Sequence, residues 1–409
     1  MQTNLAAQYK DTPEGIEAEE ILRQCVHCGF CTATCPTYQL LGDELDGSRG
    51  RIYLIKQVLE GATPGPSTQL HLDRCLSCRN CESTCPSGVQ YGRLLDIGRG
   101  LVEQQVARPK TERVVRTLLK EALPRRWIFK PAMKAGQWLR PVLPSGLYGK
   151  VARPAPAGQW PRASHARKML LLDGCVQPSM APNINAATAR VLDALGIELV
   201  IALKAGCCGA IRYHLNDQEG GLQDMRRNID AWWPLVEAGA EAIVMTSSGC
   251  GVTVKDYGHL LRLDPAYAEK AARISALTRD VSEVLVDLQE EMVAKLNGAH
   301  RAQAQRVAYH PPCTLQHGQK IRGKVEQLLR AVGVDVTLCA DSHLCCGSSG
   351  TYSLLQPELS IQLRDRKVAA LEATGAERIV SANVGCQSHL QTGTSTPVEH
   401  WIELLDRLL

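Results

Sequence analysis

Two stretches, "CVHCGFCTATCP" from Cys25 to Pro36 and "CLSCRNCESTCP" from Cys75 to Pro86, each set four cysteines at gaps of two, two and three and close on a proline. C-x2-C-x2-C-x3-C-P is the spacing that wraps cubane iron–sulfur clusters. Three thiolates on a tight turn reach three corners of one cube, and the fourth points away to a second cube. Proline lacks an N–H and stops the local turn. The spacing predicts crossed ligation: Cys25, Cys28, Cys31 and Cys85 around one [4Fe–4S] cluster, and Cys75, Cys78, Cys81 and Cys35 around the other. Paired zinc sites are the bland alternative. Zinc modules separate two cysteine pairs by a longer loop, whereas here three ligands crowd into a short turn. A cluster pair sharing ligands relays single electrons, and nothing in this segment is suited to bind an organic substrate. Thr32, Thr34 and Ser77 are candidate hydrogen-bond donors to the sulfurs, with ordinary turn chemistry as the alternative.

A second cysteine pattern is an internal repeat. Cys175 precedes Cys207-Cys208-Gly209 by the same interval as Cys313 precedes Cys345-Cys346-Gly347, and each copy continues to a Gly-Cys, at Cys250 and Cys386. The approach to that last cysteine also matches, "GAEAIVMTSSGC" against "GAERIVSANVGC". Adjacent cysteines face one centre more easily than they bond each other, and the glycine admits a backbone angle that bulkier residues avoid. Cys175, Cys207, Cys208 and Cys250 thus form one candidate metal or redox site, and Cys313, Cys345, Cys346 and Cys386 another. Buried cysteines packing a repeat core are the alternative. His214, His310, His317, His343 and His389 are candidate ligands or proton carriers, set against the plainer reading of hydrogen-bonded histidines. Cys339 has no counterpart in the first repeat and is expected to be structural.

Stepping outward from these residues, the segment around the two dense runs looks helical. "EGIEAEEILRQC" carries Ile16, Ile21 and Leu22, "SRGRIYLIKQVLEG" carries Ile52, Ile55, Val58 and Leu59, and "LLDIGRGLVEQQV" is similar. The repeat region alternates short apolar runs (169–172, 197–201, 242–245, 307–309, 334–338, 378–380) with helical stretches, which predicts parallel βα units. The expected fold is α+β and multidomain: an α-helical ferredoxin domain at 15–107, a basic Pro-rich linker at 108–167, and two α/β repeats at 168–300 and 301–409, packed with pseudo-two-fold symmetry.

Composition narrows the class. Seventeen cysteines in 409 residues, with no basic start and apolar stretch at the N-terminus to mark secretion, point to metal or redox chemistry in a reducing cytoplasm. No apolar run approaches the roughly 18 residues that cross a bilayer. The net charge of +4 hides an asymmetry: from Arg108 to Lys168 there are fifteen Lys and Arg against Glu112 and Glu121, leaving the remainder of the chain acidic. Within that stretch, "RRWIFKPAMKAGQWLRPVL" mixes cations with Trp127, Phe129 and Trp138. It suits an anionic membrane surface, an acidic partner protein or the chain's own acidic lobes. A zinc-bearing nucleic-acid binder is the competing class; the dense cysteine spacing speaks for iron and against nucleic acid.

The combination of the two dense runs, the "DGSRGRI" segment at 46–52 and the tandem CCG region resembles the family of glycolate oxidase iron–sulfur subunits. "NINAATARVLDALGI", "AGCCGA", "YHLNDQEGGL", "NIDAWWP" and "DSHLCCGSSGTYSLL" carry the likeness over nearly the whole chain. Iron–sulfur subunits for glycerol 3-phosphate and lactate oxidation and of heterodisulfide reductase are looser relatives. The resemblance implies two [4Fe–4S] clusters, a further cluster in the CCG region, FAD-containing partner subunits that oxidise glycolate to glyoxylate, and electron delivery toward the quinone pool from a cytoplasmic or peripheral membrane position. No residue of this chain is then catalytic on the organic substrate. The chain has no G-x-G-x-x-G after an expected strand, so the flavin belongs on another polypeptide. In the heterodisulfide-reductase type each CCG motif ends in C-x-x-C; here Thr253 and His389 stand at those last positions, which argues against a five-cysteine cluster.

Overall fold

A computed structural model describes residues 1–143, 149, 151–296 and 306–409. The repeat boundary expected at 300/301 and part of the 108–167 linker lie outside the described residues. The chain forms two compact units, Met1–Thr117 with His343–Leu363, and Leu118–Ser342 with Arg364–Leu409.

The first unit is helical. Helix Pro13–Gln24 begins where Thr12 accepts a hydrogen bond from the Gly15 N–H and proline takes the first helical position. It packs with helices Ser48–Leu59 and Tyr91–Gln105, and helix Pro66–Asp73 packs against both of those. Leu22, Ile55, Leu59, Leu72, Leu94 and Leu95 are essentially solvent-free in the core between them, each stabilising the fold by roughly 1.5–3 kcal/mol relative to exposure. The helical spacing of Ile52, Ile55, Val58 and Leu59 is that of their burial. Ile16, in the first turn of its helix, instead remains 49% exposed. Segment His343–Leu363, from the second CCG repeat, belongs to this unit by its packing. The Ser349 hydroxyl donates to the Leu76 carbonyl at 2.5 Å and the Tyr352 hydroxyl to the Arg74 carbonyl at 3.2 Å.

The second unit holds two four-stranded parallel sheets. β1 (Arg167–Leu171), β2 (Ile197–Ile201), β3 (Ile243–Met245) and β4 (Thr278–Asp280) take the order β2-β1-β3-β4. β5 (Arg306–His310), β6 (Asp335–Leu338), β7 (Arg378–Ser381) and β8 (Val398–His400) repeat it as β6-β5-β7-β8. β4 and β8 escape the sequence reading because each has three residues and polar members. The repeat nonetheless reaches them. Asp280 and His400 each end such a strand and cap the next helix in a capping box with Glu283 and Glu403. One core joins the sheets, with Leu171, Val244, Val307, Tyr309, Val380 and Trp401 all buried in it. Burial lowers the His400 pKa to about 3, so its ring is neutral: Nε2–H donates to the Thr246 carbonyl of the first sheet at 2.9 Å while Nδ1 accepts from the Ile402 N–H.

Candidate iron–sulfur centres

The two dense runs fold alike. His27 and Gly29 in the first, and Ser77 and Arg79 in the second, adopt positive φ, followed by the short helices Phe30–Ala33 and Asn80–Thr84. Alternating left-handed residues curl the backbone around a concavity and turn its N–H groups inward. For a non-glycine residue this geometry costs about 1–2 kcal/mol, so His27, Ser77 and Arg79 hold strain that the folded loops must offset.

A hollow is lined by Cys25, Cys28 and Cys31 of the first run and by Cys85 of the second. Cys81, Ser48, Arg49, Pro86 and Tyr91 complete its wall. Burial pushes the Cys31 thiol up to about 11, and Cys25, Cys28 and Cys35 add to the effect. Such crowded thiols resist ionising together unless a cation sits among them. The donor set therefore fits a metal cluster and not a packed apolar core. On the second run, Cys75, Cys78 and Cys81 are all buried, as is Cys35, whereas Cys28 is exposed. The Cys75 sulfur accepts from the Ser77 N–H at 3.4 Å and the Tyr91 hydroxyl at 3.6 Å. Cys35 meets the Thr37 hydroxyl at 3.3 Å.

The expected side-chain donors to sulfur differ from the observed ones. The Thr32 and Thr34 hydroxyls donate to the Gly29 and Cys31 carbonyls. Ser77 reaches Cys75 through its backbone, while its hydroxyl accepts from Arg99. Local geometry decides this: a hydroxyl three residues on from a carbonyl in a helical turn finds that carbonyl first. Tyr91 and Thr37 were not legible as donors, since each becomes one only through tertiary contact.

Beside the second run lies a buried ionic network. Asp46, wholly buried, pairs with Arg51 at 3.3 Å, Arg74 at 2.9 Å and His71 Nδ1 at 3.1 Å. Arg51, also buried, further donates to the His71 carbonyl at 2.7 Å and to Thr37 at 3.2 Å. Its signal in the sequence was "DGSRGRI", which spacing alone left without a role.

In the first CCG repeat the four cysteines come together at the carboxyl ends of the strands. Cys175 follows β1, Cys207 and Cys208 precede helix Ala210–His214, and Cys250 lies in helix Ser248–Lys255 after β3. Their thiols form a hydrogen-bonded chain, Cys175 to Cys207, Cys207 to Cys208, and Cys208 to Cys250. Donation to Cys207, with burial, holds the Cys175 thiol well above its ordinary pKa. Asn228 donates to the Cys207 carbonyl at 2.7 Å and Tyr257 to the Cys208 carbonyl at 2.8 Å, so both brace the turn from fully buried positions. The glycine expected to permit the turn has φ +93° at Gly209 and +87° at Gly347, and a Cβ would meet the Gly221 carbonyl oxygen at 2.7 Å or the Ser360 one at 2.5 Å. Thr253, where C-x-x-C would end, donates to the Gly249 carbonyl.

In the second repeat, Cys313 follows β5 and Cys386 lies in helix Val384–Gln391 after β7, both buried. Cys345 and Cys346 are buried in the segment that packs with the first unit. Of the candidate histidines, His214 is exposed, His343 half-buried, and His317 and His389 buried. His310 is completely buried, and neither ring nitrogen has a hydrogen-bond partner. Cys339 is buried.

Known proteins share this organisation. Residues 21–89 match the 4Fe-4S dicluster domain family, and 169–255 and 307–391 match the cysteine-rich CCG domain family. The chain is 55% identical to the glycolate oxidase iron-sulfur subunit of Escherichia coli, over 100% of its own length and 99% of that protein's. The chain belongs to the family of glycolate oxidase iron–sulfur subunits. A probable glycolate oxidase iron-sulfur subunit of Bacillus subtilis is 31% identical over 93% of this chain and 90% of its own. Lactate utilization protein A of Bacillus licheniformis, at 30% identity, aligns with only 54% of this chain.

Proposed function

We propose that this chain is the electron-relay subunit of a flavin-dependent glycolate dehydrogenase, working with FAD-containing partner subunits that oxidise glycolate to glyoxylate. The observation that carries the reading is the shared hollow, in which thiols of both dense runs converge. Cys25, Cys28, Cys31 and Cys85 would hold one [4Fe–4S] cluster, and Cys75, Cys78, Cys81 and Cys35 the other. Such clusters, when bound, accept and release one electron at a time. Around them the chain's own residues set access and polarity. The first-run hollow opens beside exposed Val26 and Phe30, a surface suited to a partner subunit and hence to electron entry. Cys75, Cys78 and Cys81 of the second run are buried from water, and the Tyr91 hydroxyl and Ser77 N–H favour the more reduced state by bonding the Cys75 sulfur. The 55% identity over full length to a glycolate oxidase subunit, against 30% identity over 54% of this chain and 88% of a lactate utilization protein, supports glycolate over lactate as the donor. The test is anaerobic mixing with the flavoprotein subunits. Glycolate is expected to bleach the visible iron–sulfur absorption only when those subunits are present, and faster than L-lactate or glycerol 3-phosphate. Bleaching by lactate at the higher rate would reassign the substrate, and no bleaching by any hydroxy acid would remove the relay role.

A peripheral membrane position belongs to the same proposal, with quinone as the electron acceptor. Among the described residues no helix is long and apolar enough to cross a membrane. Part of the basic stretch is occupied by the chain's own acids: Arg108 and Arg116 pair with Asp73, Lys120 with Asp217, and Arg126 with Asp173. Helix Arg126–Leu139 then leaves one face free of acids. Trp127 and Trp138, eleven residues apart and so on one side of the helix, are 76% and 82% exposed, with exposed Lys130 and Lys134 between them. Tryptophan with lysine is the composition of a membrane interface, whereas protein interfaces are depleted in lysine. Sedimentation with anionic vesicles in low salt is expected to carry the chain down. Lys130→Glu with Lys134→Glu should weaken that binding by more than about tenfold; equal binding to neutral vesicles would exclude an electrostatic dock.

A further inference from the structure

We propose that His310 is a metal ligand, which together with the Cys386 thiolate makes the second CCG repeat a mixed imidazole–thiolate iron–sulfur centre. His310 ends β5, in register with Ser381 at the end of the neighbouring parallel strand β7. The carboxyl ends of adjacent parallel strands are where open α/β sheets bind their ligands. Cys313 lies three residues beyond His310, and Cys386 lies on the helix that follows β7. A His310 ring nitrogen and the Cys386 sulfur lie within 4.8 Å of each other, close enough for one ion to bridge them.

The imidazole has no other occupation. It is wholly buried, and both nitrogens lack a partner among the described residues. Burying a polar ring without a hydrogen bond costs a few kcal/mol, and native folds seldom leave such a group unused. By contrast, His400, equally buried in the same unit, satisfies both of its nitrogens. The repeat itself supplies a control. Aligning "KMLLLDGC" with "RVAYHPPC" puts Leu172 opposite His310, and Leu172 is an ordinary buried core residue. A site that is apolar in one copy can be apolar in the other, so packing does not require histidine there. Replacing one thiolate by a neutral imidazole raises the potential of an iron–sulfur centre, as known for clusters with two histidine ligands. The second repeat would then accept electrons at a higher potential than the all-thiol first repeat.

The inference rests on the second CCG repeat binding iron, and the experiment separates the two. Full-length protein is purified anaerobically, reconstituted with iron and sulfide, and labelled with 15N-histidine for pulsed EPR of its reduced and oxidised forms. The wild type is expected to hold iron beyond that of the two ferredoxin clusters and to show a strong histidine nitrogen coupling. His310→Ala should lose that coupling and that iron while the ferredoxin signals persist, and added imidazole should restore both. His310→Cys, which keeps a ligand at the position, should retain the iron, lose the coupling and shift the centre to lower potential. Iron in the second repeat without nitrogen coupling, or unchanged spectra in both variants, would overturn the ligand. No iron beyond the ferredoxin clusters would overturn it together with the metal site, leaving the relay role of the ferredoxin unit intact.

Discussion

Cys35→Ala is expected to abolish the iron–sulfur centre of the second dense run and spare that of the first, and Cys85→Ala to do the reverse. The crossed pattern follows from the way each run ends. The helical turns Phe30–Ala33 and Asn80–Thr84 carry the chain away from its own loop before the fourth cysteine. Cys85 consequently faces the hollow of Cys25, Cys28 and Cys31, while Cys35 is buried beside the Thr37 hydroxyl and the Asp46 carbonyl. A cluster stripped of one thiolate is labile, so each variant should lose about half of the ferredoxin iron. Iron and sulfide analysis with EPR of the dithionite-reduced protein reads the result. If Cys35→Ala removes the signal that Cys28→Ala removes, each run holds its own cluster and the crossed ligation is wrong.

Asp46→Asn is expected to destabilise the ferredoxin unit by about 3–5 kcal/mol, the cost of leaving a buried charge unmatched. Arg51 would then keep its guanidinium in the core with carbonyl and hydroxyl acceptors but no carboxylate. Arg51→Met should cost less, because Asp46 retains Arg74, which is partly exposed, and His71. Since a whole domain is stable by only about 5–15 kcal/mol, the first substitution is enough to loosen the loops around Cys35 and Cys75 and to release iron early. Anaerobic denaturant titration, followed by cluster absorbance and by circular dichroism, measures both. Equal midpoints for the wild type and Asp46→Asn would show that the network does not hold this unit together. Additive effects in the double variant would show that the two residues do not act as a pair.

Features that depend on neighbours along the chain are legible in the residues alone. Gaps of two, two and three dictate a loop that presents three thiols inward. The turn glycines Gly209 and Gly347, the helical spacing from Ile52 to Leu59, and the short apolar runs at β1, β2 and β3 are likewise set by residues within a turn or two. The duplication was equally plain, because copies of one supersecondary unit must repeat its punctuation. The strands β4 and β8 were lost only because three residues with polar side chains carry no period, although their capping residues Asp280 and His400 were in view. How groups far apart in the chain share the interior emerges only from packing. Asp46 gathers Arg51 from helix Ser48–Leu59 and His71 and Arg74 from helix Pro66–Asp73 and its C-cap. Tyr91 reaches back sixteen residues to the Cys75 sulfur. Segment His343–Leu363 packs with the ferredoxin helices although it lies within the second CCG repeat in sequence. His310 differs from the other candidate histidines solely in having lost water without gaining a partner. Burial is a property of the whole packed unit, and a buried polar group acquires its role from what surrounds it in space. No local pattern encodes that, because the surrounding atoms come from distant parts of the chain.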